Sequence, residues 1–526
     1  MSGVHSRVPS NKIDVDALTA LKGAFTPDAG VQMEALLRRL LTTPIRDPQT
    51  LIHLHETALF LRAYPQNPAV VKLADRLLFA FGDRLRALAP LSWEDSQLLE
   101  AGEVSGIAGT GISTNFSYSF ARSLASRHGK RIQIDWTSYA HPERLGPALA
   151  RVAPLANEDW TVEGHVDWHQ WLAAFAPRGK QLHWLLEHLD PTTYDSLEIP
   201  ILWSLGDSSA TRSRTRLATD KRDIFYHAGP LLKRRDVSLE AEFSKPKLKA
   251  RGLKLAEAQS ILDVIVDTSA VRYRELWGFL FPDIARTYQA DLGRGMRMVW
   301  FGVPPSARLP LRAYHCGMFF KNGVPIGYVE VLSLFERMEV GFNLYYTFRE
   351  GESAWLYAQV LKFCREQYGV TCFTIDPYQL GHENEEAVDS GAIWFYRKLG
   401  FRSTSPAITH LIEREERKLA TDTEYRTSPA TLRRMAAAPM LYGHTAGSSK
   451  DWDGFSLRRL LRRVAMKSAA KNTGPAWAAI LAVVGDCGVS ARQLSDSKNS
   501  PDEKTYLHLL QSSPKLRQRF LKLGVK

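Results

Sequence analysis

The sequence predicts a mixed α+β/α/β chain, in which a mostly helical amino-terminal region precedes a mixed-sheet domain and a basic helical extension follows it. Three observations carry this reading. From Val31 to Leu88 apolar residues recur at three- and four-residue steps, most clearly Val70, Leu73, Leu77, Phe81, Leu85 and Leu88, the stripe of an amphipathic helix. Near Met296 the pattern changes to short, dense apolar runs of strand type, beginning with RMVWFGV. After Ile412 helical periodicity returns with a basic face: Leu457, Leu460, Leu461 and Val464 stand on one side of a helix, and Arg458, Arg459, Arg462 and Arg463 on the other.

A chain of 526 residues is too long for one ordinary core. In the helical region, residues 1–205, prolines 44, 48, 65, 68 and 90 divide the pattern into short helices, and further helical segments follow around Ser117–Arg127, Arg144–Val152 and Trp168–Phe175. Residues 206–223, GDSSATRSRTRLATDKRD, are poor in apolar side chains and read as a linker or mobile loop. Residues 224–290 form a helical connecting segment, 291–412 the sheet domain and 413–526 the basic extension, whose last stretch, Pro514–Lys526, resembles the first.

The net charge of +12 favours an acidic partner, whether nucleic acid, an anionic surface or a phosphorylated cofactor; solubility alone is the plain alternative. The longest apolar stretch, Ala476–Val484, is far short of the ~20 residues of a membrane span, and the polar start MSGVHSRVPSNKIDVD has no secretory character. Cys316, Cys364, Cys372 and Cys487 form no CxxC pair, so a reducing compartment, the cytoplasm, is expected. The histidine pairs His165/His169 and His53/His55 have no identifiable third ligand, and no metal is expected. Gly106 and its neighbours in SGIAGTGIST read as turn or packing glycines.

Within the sheet domain, YHCGMFF runs into Lys321-Asn322-Gly323 and out through VPIGYVEVLSLF; Asn-Gly supplies the positive φ angles of a tight primed turn, so these strands form a hairpin. A third strand, MEVGFNLYY, leads through the polar loop TFREGESA into an amphipathic helix bearing Ala354, Tyr357, Leu361 and Cys364, which stops at Gly369. A helix start directly after a strand presents unpaired N–H groups, a receptor for phosphate oxygens. Another strand, VTCFTID, and a helix ending in AIWFYRKLGF follow.

Here the residues resemble the GNAT superfamily of acyl-CoA-dependent N-acyltransferases, whose last helix reads Ala, two residues, an apolar residue, Tyr, one residue, a basic residue, one residue, Gly, Phe; Ala392, Phe395, Tyr396, Lys398, Gly400 and Phe401 fill those places. The resemblance implies an enzyme moving an acyl group from acetyl-CoA or a longer acyl-CoA to an amine on a small molecule or protein. It implies that the turn Arg349, Glu350, Gly351, Glu352, Ser353 and Ala354 takes the diphosphate, although Glu352 stands where the family has Gly. Backbone donors near Leu344 to Tyr346 would polarise the thioester. Asn384 would stand in for the family's Asn, which is Asp389 here. Tyr396 would be the general acid toward sulfur, and Glu339 the base, with Glu330 as alternate. Two other readings belong to different classes: a catalytically degenerate scaffold, and an RNA-binding protein taking aminoacyl-tRNA as donor through its arginine-rich helices.

Overall fold

The computed structural model describes residues 10–152, 167–308, 312–334, 336–443 and 452–453. His165, Cys487 and the basic helices expected around 457–464 and 514–526 lie outside these residues.

The helical lobe begins with Ser10–Leu21, Pro27–Thr42, Pro48–Ala63 and Pro68–Phe79. The last three open alike: Thr26, Asp47 and Asn67 accept the N–H groups of Ala29, Thr50 and Val70, and proline occupies the first helical turn. Pro48 and Pro68 therefore start helices, because proline's missing N–H is no loss in a first turn. Helix Pro48–Ala63 is buried nearly all round and lies at the centre of the lobe.

A second unit is built on strands β1 (Gly111–Asn115), β2 (Ile132–Ile134) and β3 (Pro200–Ser204), antiparallel in the order β1-β3-β2. Helices such as Tyr118–His128 and Gln181–His188 enclose a separate core around Trp203, Ile201 and Leu185. Helices still make up most of the described part of residues 1–205; this sheet adds three strands too short for alternation to register. The expected linker at 206–223 is corrected. Thr211, Arg212 and Ser213 are buried, and the Arg212 guanidinium donates to Glu103 O (2.9 Å), Glu56 (2.7 Å) and Thr347 (3.0 Å). Its polarity faces inward, into hydrogen bonds.

Among the described residues the large sheet has nine strands: β4 (Lys249–Gly252), β5 (Thr287–Gly293), β6 (Met296–Gly302), β7 (Ala313–Lys321), β8 (Val324–Leu334), β9 (Arg337–Leu344), β10 (Cys372–Ile375), β11 (Arg402–Ser403) and β12 (Met440–Gly443). Their order is β11-β12-β10-β9-β8-β7-β6-β5-β4, and among the described pairs only β9 and β10 run parallel. The sheet exceeds its expected bounds of 291–412: β4 and β5 come from the connecting segment, and β12, from the expected extension, lies between β10 and β11. Asn322 and Gly323 (φ 48° and 83°) make the expected two-residue turn, with Lys321 opposite Val324. The tip is buried against the helical lobe, Asn322 Nδ2 donating to Ala63 O (2.8 Å) and Phe225 O (3.0 Å). Lobe and sheet share one apolar core. Among the described residues no helix is long and apolar enough to cross a membrane.

His227 lies between lobe and sheet, its ring against Phe25, Tyr64 and Phe225. Burial, then Lys321 and Arg294, push its pKa from 6.5 down to about 2. Burial also lowers those of His55 and His315. Below about pH 6.5 the unfolded chain therefore binds protons that the fold refuses, so their contribution to stability is complete above that pH and lost as pH falls. Thermal melting should drop from pH 7 to 5, each histidine contributing up to ~1.4 kcal/mol per pH unit. His227→Phe should flatten this limb, and an unchanged limb would exclude His227 as a contributor.

Candidate active site

Strand β10 pairs with β9 only from Arg337 to Glu339. Beyond that, β9 continues beside β8 to Leu344, whereas the chain after β10 turns into the one-turn helix Pro377–Leu380, capped by Asp376. The separation leaves a cleft of about 380 Å³ between Gly341–Leu344, Tyr328 and Glu330 on one side and the segments carrying Gln379, Asn384 and Tyr396 on the other.

Its lining is polar. Tyr396, on helix Ala392–Lys398, packs edge-on against Tyr357 with ring centroids 5.6 Å apart, and its hydroxyl donates to Gln379 Oε1 at 3.3 Å. Burial pushes this phenol well above its ordinary pKa, so it holds its proton. The same Gln379 oxygen accepts the Phe342 N–H at 3.3 Å. Glu330 accepts the Tyr314 hydroxyl and lies 3.9 Å from the Cys316 thiol. Burial raises its pKa, against the opposing pull of those two hydrogen bonds. Arg349 pairs with Glu386 and covers the Tyr346 ring at 5.6 Å. Asn384 caps helix Glu385–Asp389, accepting the Ala387 N–H at 3.2 Å.

Of the expected site residues, the cleft collects Leu344, Arg349, Asn384 and Tyr396. Tyr346 presents an exposed ring outside the cleft lining. Glu339 is not in the lining and pairs instead with Arg312 at 3.3 Å; its alternate, Glu330, takes the place. Tyr345, in the stretch expected to offer free backbone donors, gives its N–H to Ile326 O of β8 at 3.0 Å.

The expected diphosphate turn needs a larger correction. Glu350 points to Lys22 of the lobe (2.8 Å). Gly351 lies under the Tyr64 hydroxyl, which a Cβ there would meet at 2.5 Å. Glu352 is 1% exposed. Its carboxylate is forked by Arg294 (2.5 and 3.1 Å), lies 3.6 Å from Lys321 and accepts the Leu232 N–H at 3.2 Å. Ser353 and the buried Ala354 begin helix Ser353–Tyr368 behind it. None of Glu350 to Ala354 lines the cleft; the turn packs against the helical lobe. Glu352 thus faces inward, away from the cleft.

Sequence reasoning missed Gln379, Tyr328, Asn343 and Arg274, all of which line the cleft. Only the position of Gln379, just beyond a strand that ends early, offered a signal. Among the described residues no His, Cys, Asp and Glu group could hold a metal ion. His169 instead bonds Asp167, and His55 bonds Glu56 and Ser213. No protein family, curated protein or solved structure matches the chain.

Removing Glu352 leaves the buried Lys321 and the half-buried Arg294 without their partner. Glu352→Ala is expected to cost ~3–5 kcal/mol in chemical denaturation; a loss within the range of a surface substitution, below about 0.5 kcal/mol, would contradict the buried pairing.

Proposed function

We propose that the chain is an N-acyltransferase, moving an acyl group from acetyl-CoA or a longer acyl-CoA to an amine. The observation that carries this is the gap at the end of the parallel pair, where an unpaired strand edge, a protonated phenol and a carboxyl of raised pKa line one cleft. The GNAT resemblance supplies the chemistry. The amine attacks the thioester carbonyl, Glu330 accepts the amine's proton, and the collapse of the tetrahedral adduct expels a thiolate that Tyr396 protonates. Glu330 replaces Glu339 as the proposed base because it faces the cleft. With residues 350–354 turned toward the lobe, Arg274 at the cleft offers the positive charge that a phosphorylated donor needs, and Arg349 adds to it by exchanging Glu386 for a phosphate oxygen.

The buried Glu352 cluster favours a second reading, a catalytically degenerate module that has lost the donor and serves as a scaffold. Calorimetry with acetyl-CoA and longer acyl-CoAs separates the two: saturable binding supports the transferase, and heat-free titrations support the scaffold. A steeply salt-dependent affinity for RNA, with no acyl-CoA binding, would instead point to aminoacyl-tRNA as donor.

In the transferase, Tyr396→Phe should retain acyl-CoA binding while kcat falls about 10²-fold; an undiminished kcat would remove this phenol from the mechanism. Glu330 acts as a base only when deprotonated, so the rate should rise with pH through a midpoint above the ordinary carboxylate range, as its burial requires. Glu330→Gln should abolish that limb in a pH–rate profile and lower kcat at least ~10²-fold.

A further inference from the structure

Gln379 meets two demands at once. Its amide oxygen accepts from the Phe342 N–H and from the Tyr396 hydroxyl, both at 3.3 Å. Its amide nitrogen lies over Gly341, where a Cβ would meet it at 2.9 Å. Two converging donors fix the oxygen's direction, and the missing side chain at position 341 leaves room for the nitrogen. The amide therefore occupies the edge of β9 at the place where β10 would have continued the ladder.

A strand edge left open accepts the amides of an incoming chain as it would those of another strand. Gln379 satisfies that edge from within, using a side chain on a one-turn helix whose backbone is fixed by the Asp376 cap (Tyr378 N to Asp376 Oδ1, 2.9 Å) and stopped at Gly381 (φ 120°). The helix is anchored and the side chain is half-buried, so a rotamer change alone would free Phe342 and Tyr396 together.

We infer that Gln379 is an internal placeholder: its amide holds the position on β9 that an amide of the ligand's own arm takes over, and binding requires the exchange. This rests on the proposed donor site, whose acyl-CoA already carries an amide arm; what it adds is the exchange with Gln379. It also assigns Gln379 a positioning role, since the group that holds Tyr396 at the cleft is the group that the donor displaces.

The test uses the full chain with Gln379→Ala and with Gln379→Met, which keeps the side-chain volume and loses the hydrogen bonds. In the ligand-free protein, hydrogen exchange at the Phe342 amide should quicken about fivefold in both variants, the worth of one neutral hydrogen bond. With acetyl-CoA as probe, Kd by calorimetry should fall about fivefold because nothing has to be displaced, and KM should fall with it. A lesion of the cleft wall would raise both. Unchanged exchange at Phe342, or acetyl-CoA binding that is unchanged or weaker, overturns the placeholder and leaves the donor reading standing. Absence of binding to wild type and variants alike overturns both.

Discussion

The arrangement depends on one carboxylate held away from water. Unpaired, Glu352 would cost several kcal/mol to bury. It is tolerated because Arg294, Lys321 and the Leu232 N–H converge on it. These partners come from separate parts of the chain: the turn between β5 and β6, the tip of the β7–β8 hairpin, and the segment leading out of the polar stretch at 206–223. The same cations lie over aromatic rings, Lys321 over Tyr64 at 4.8 Å and Arg294 over Phe225 at 5.1 Å. Tyr64 belongs to the helical lobe, so neutralising Glu352 and docking the lobe are one event.

The position of the cleft follows from this anchoring. The turn after β9 is pinned at its far end by Glu352 and near its start by Thr347, which Glu56 and Arg212 hold from the lobe side. Coulombic attraction to Arg212 and the hydrogen bonds from His55 and Thr347 outweigh the burial that opposes ionisation, and the Glu56 carboxylate is held at a pKa of about 2. Arg272 covers the Tyr345 ring at 4.2 Å between these points. With its end fixed in this way β9 stays on β8, and the strand it parallels departs after three residue pairs. The open edge is a consequence of lobe packing as much as of strand sequence.

How much of this could be read in the sequence depended on the range of the determining interaction. The Asn322-Gly323 turn, the strand–turn–helix through Ser353 and the final helix with Tyr396 are local, set by backbone preference and apolar spacing, and they stand where the sequence puts them. The inward role of Glu352 was not legible, since its partners lie 31 residues or more away along the chain: Lys321 is the nearest and Leu232 the farthest. Residues 206–223 looked like a linker because composition reports polarity and not whether the polar groups find partners. The choice between Glu339 and Glu330 turned on pairing register: Glu339 still pairs with Thr374 of β10, while Glu330 stands opposite Gly341, beyond the last paired residue. Strands β4 and β12 are too short to announce themselves and join the sheet only by tertiary pairing.

Two glutamates of this domain separate the structural from the chemical use of a buried acid. Glu352 is surrounded by cations, and replacing it would disturb several segments at once, as expected of a group whose work is holding the fold. Among the described residues Glu330 has no cation among its hydrogen-bond partners, only a phenol and a thiol, and its burial pushes it toward the neutral form. An apolar residue would fill that place on β8 at a lower desolvation cost, so the fold by itself gives no reason for a carboxyl there. A carboxyl of raised pKa opening onto a cleft, with a protonated phenol also in its lining, is suited to taking up and returning a proton. In the proposed transferase that contrast divides the labour: Glu352 holds the fold, and Glu330 is left for the proton transfer.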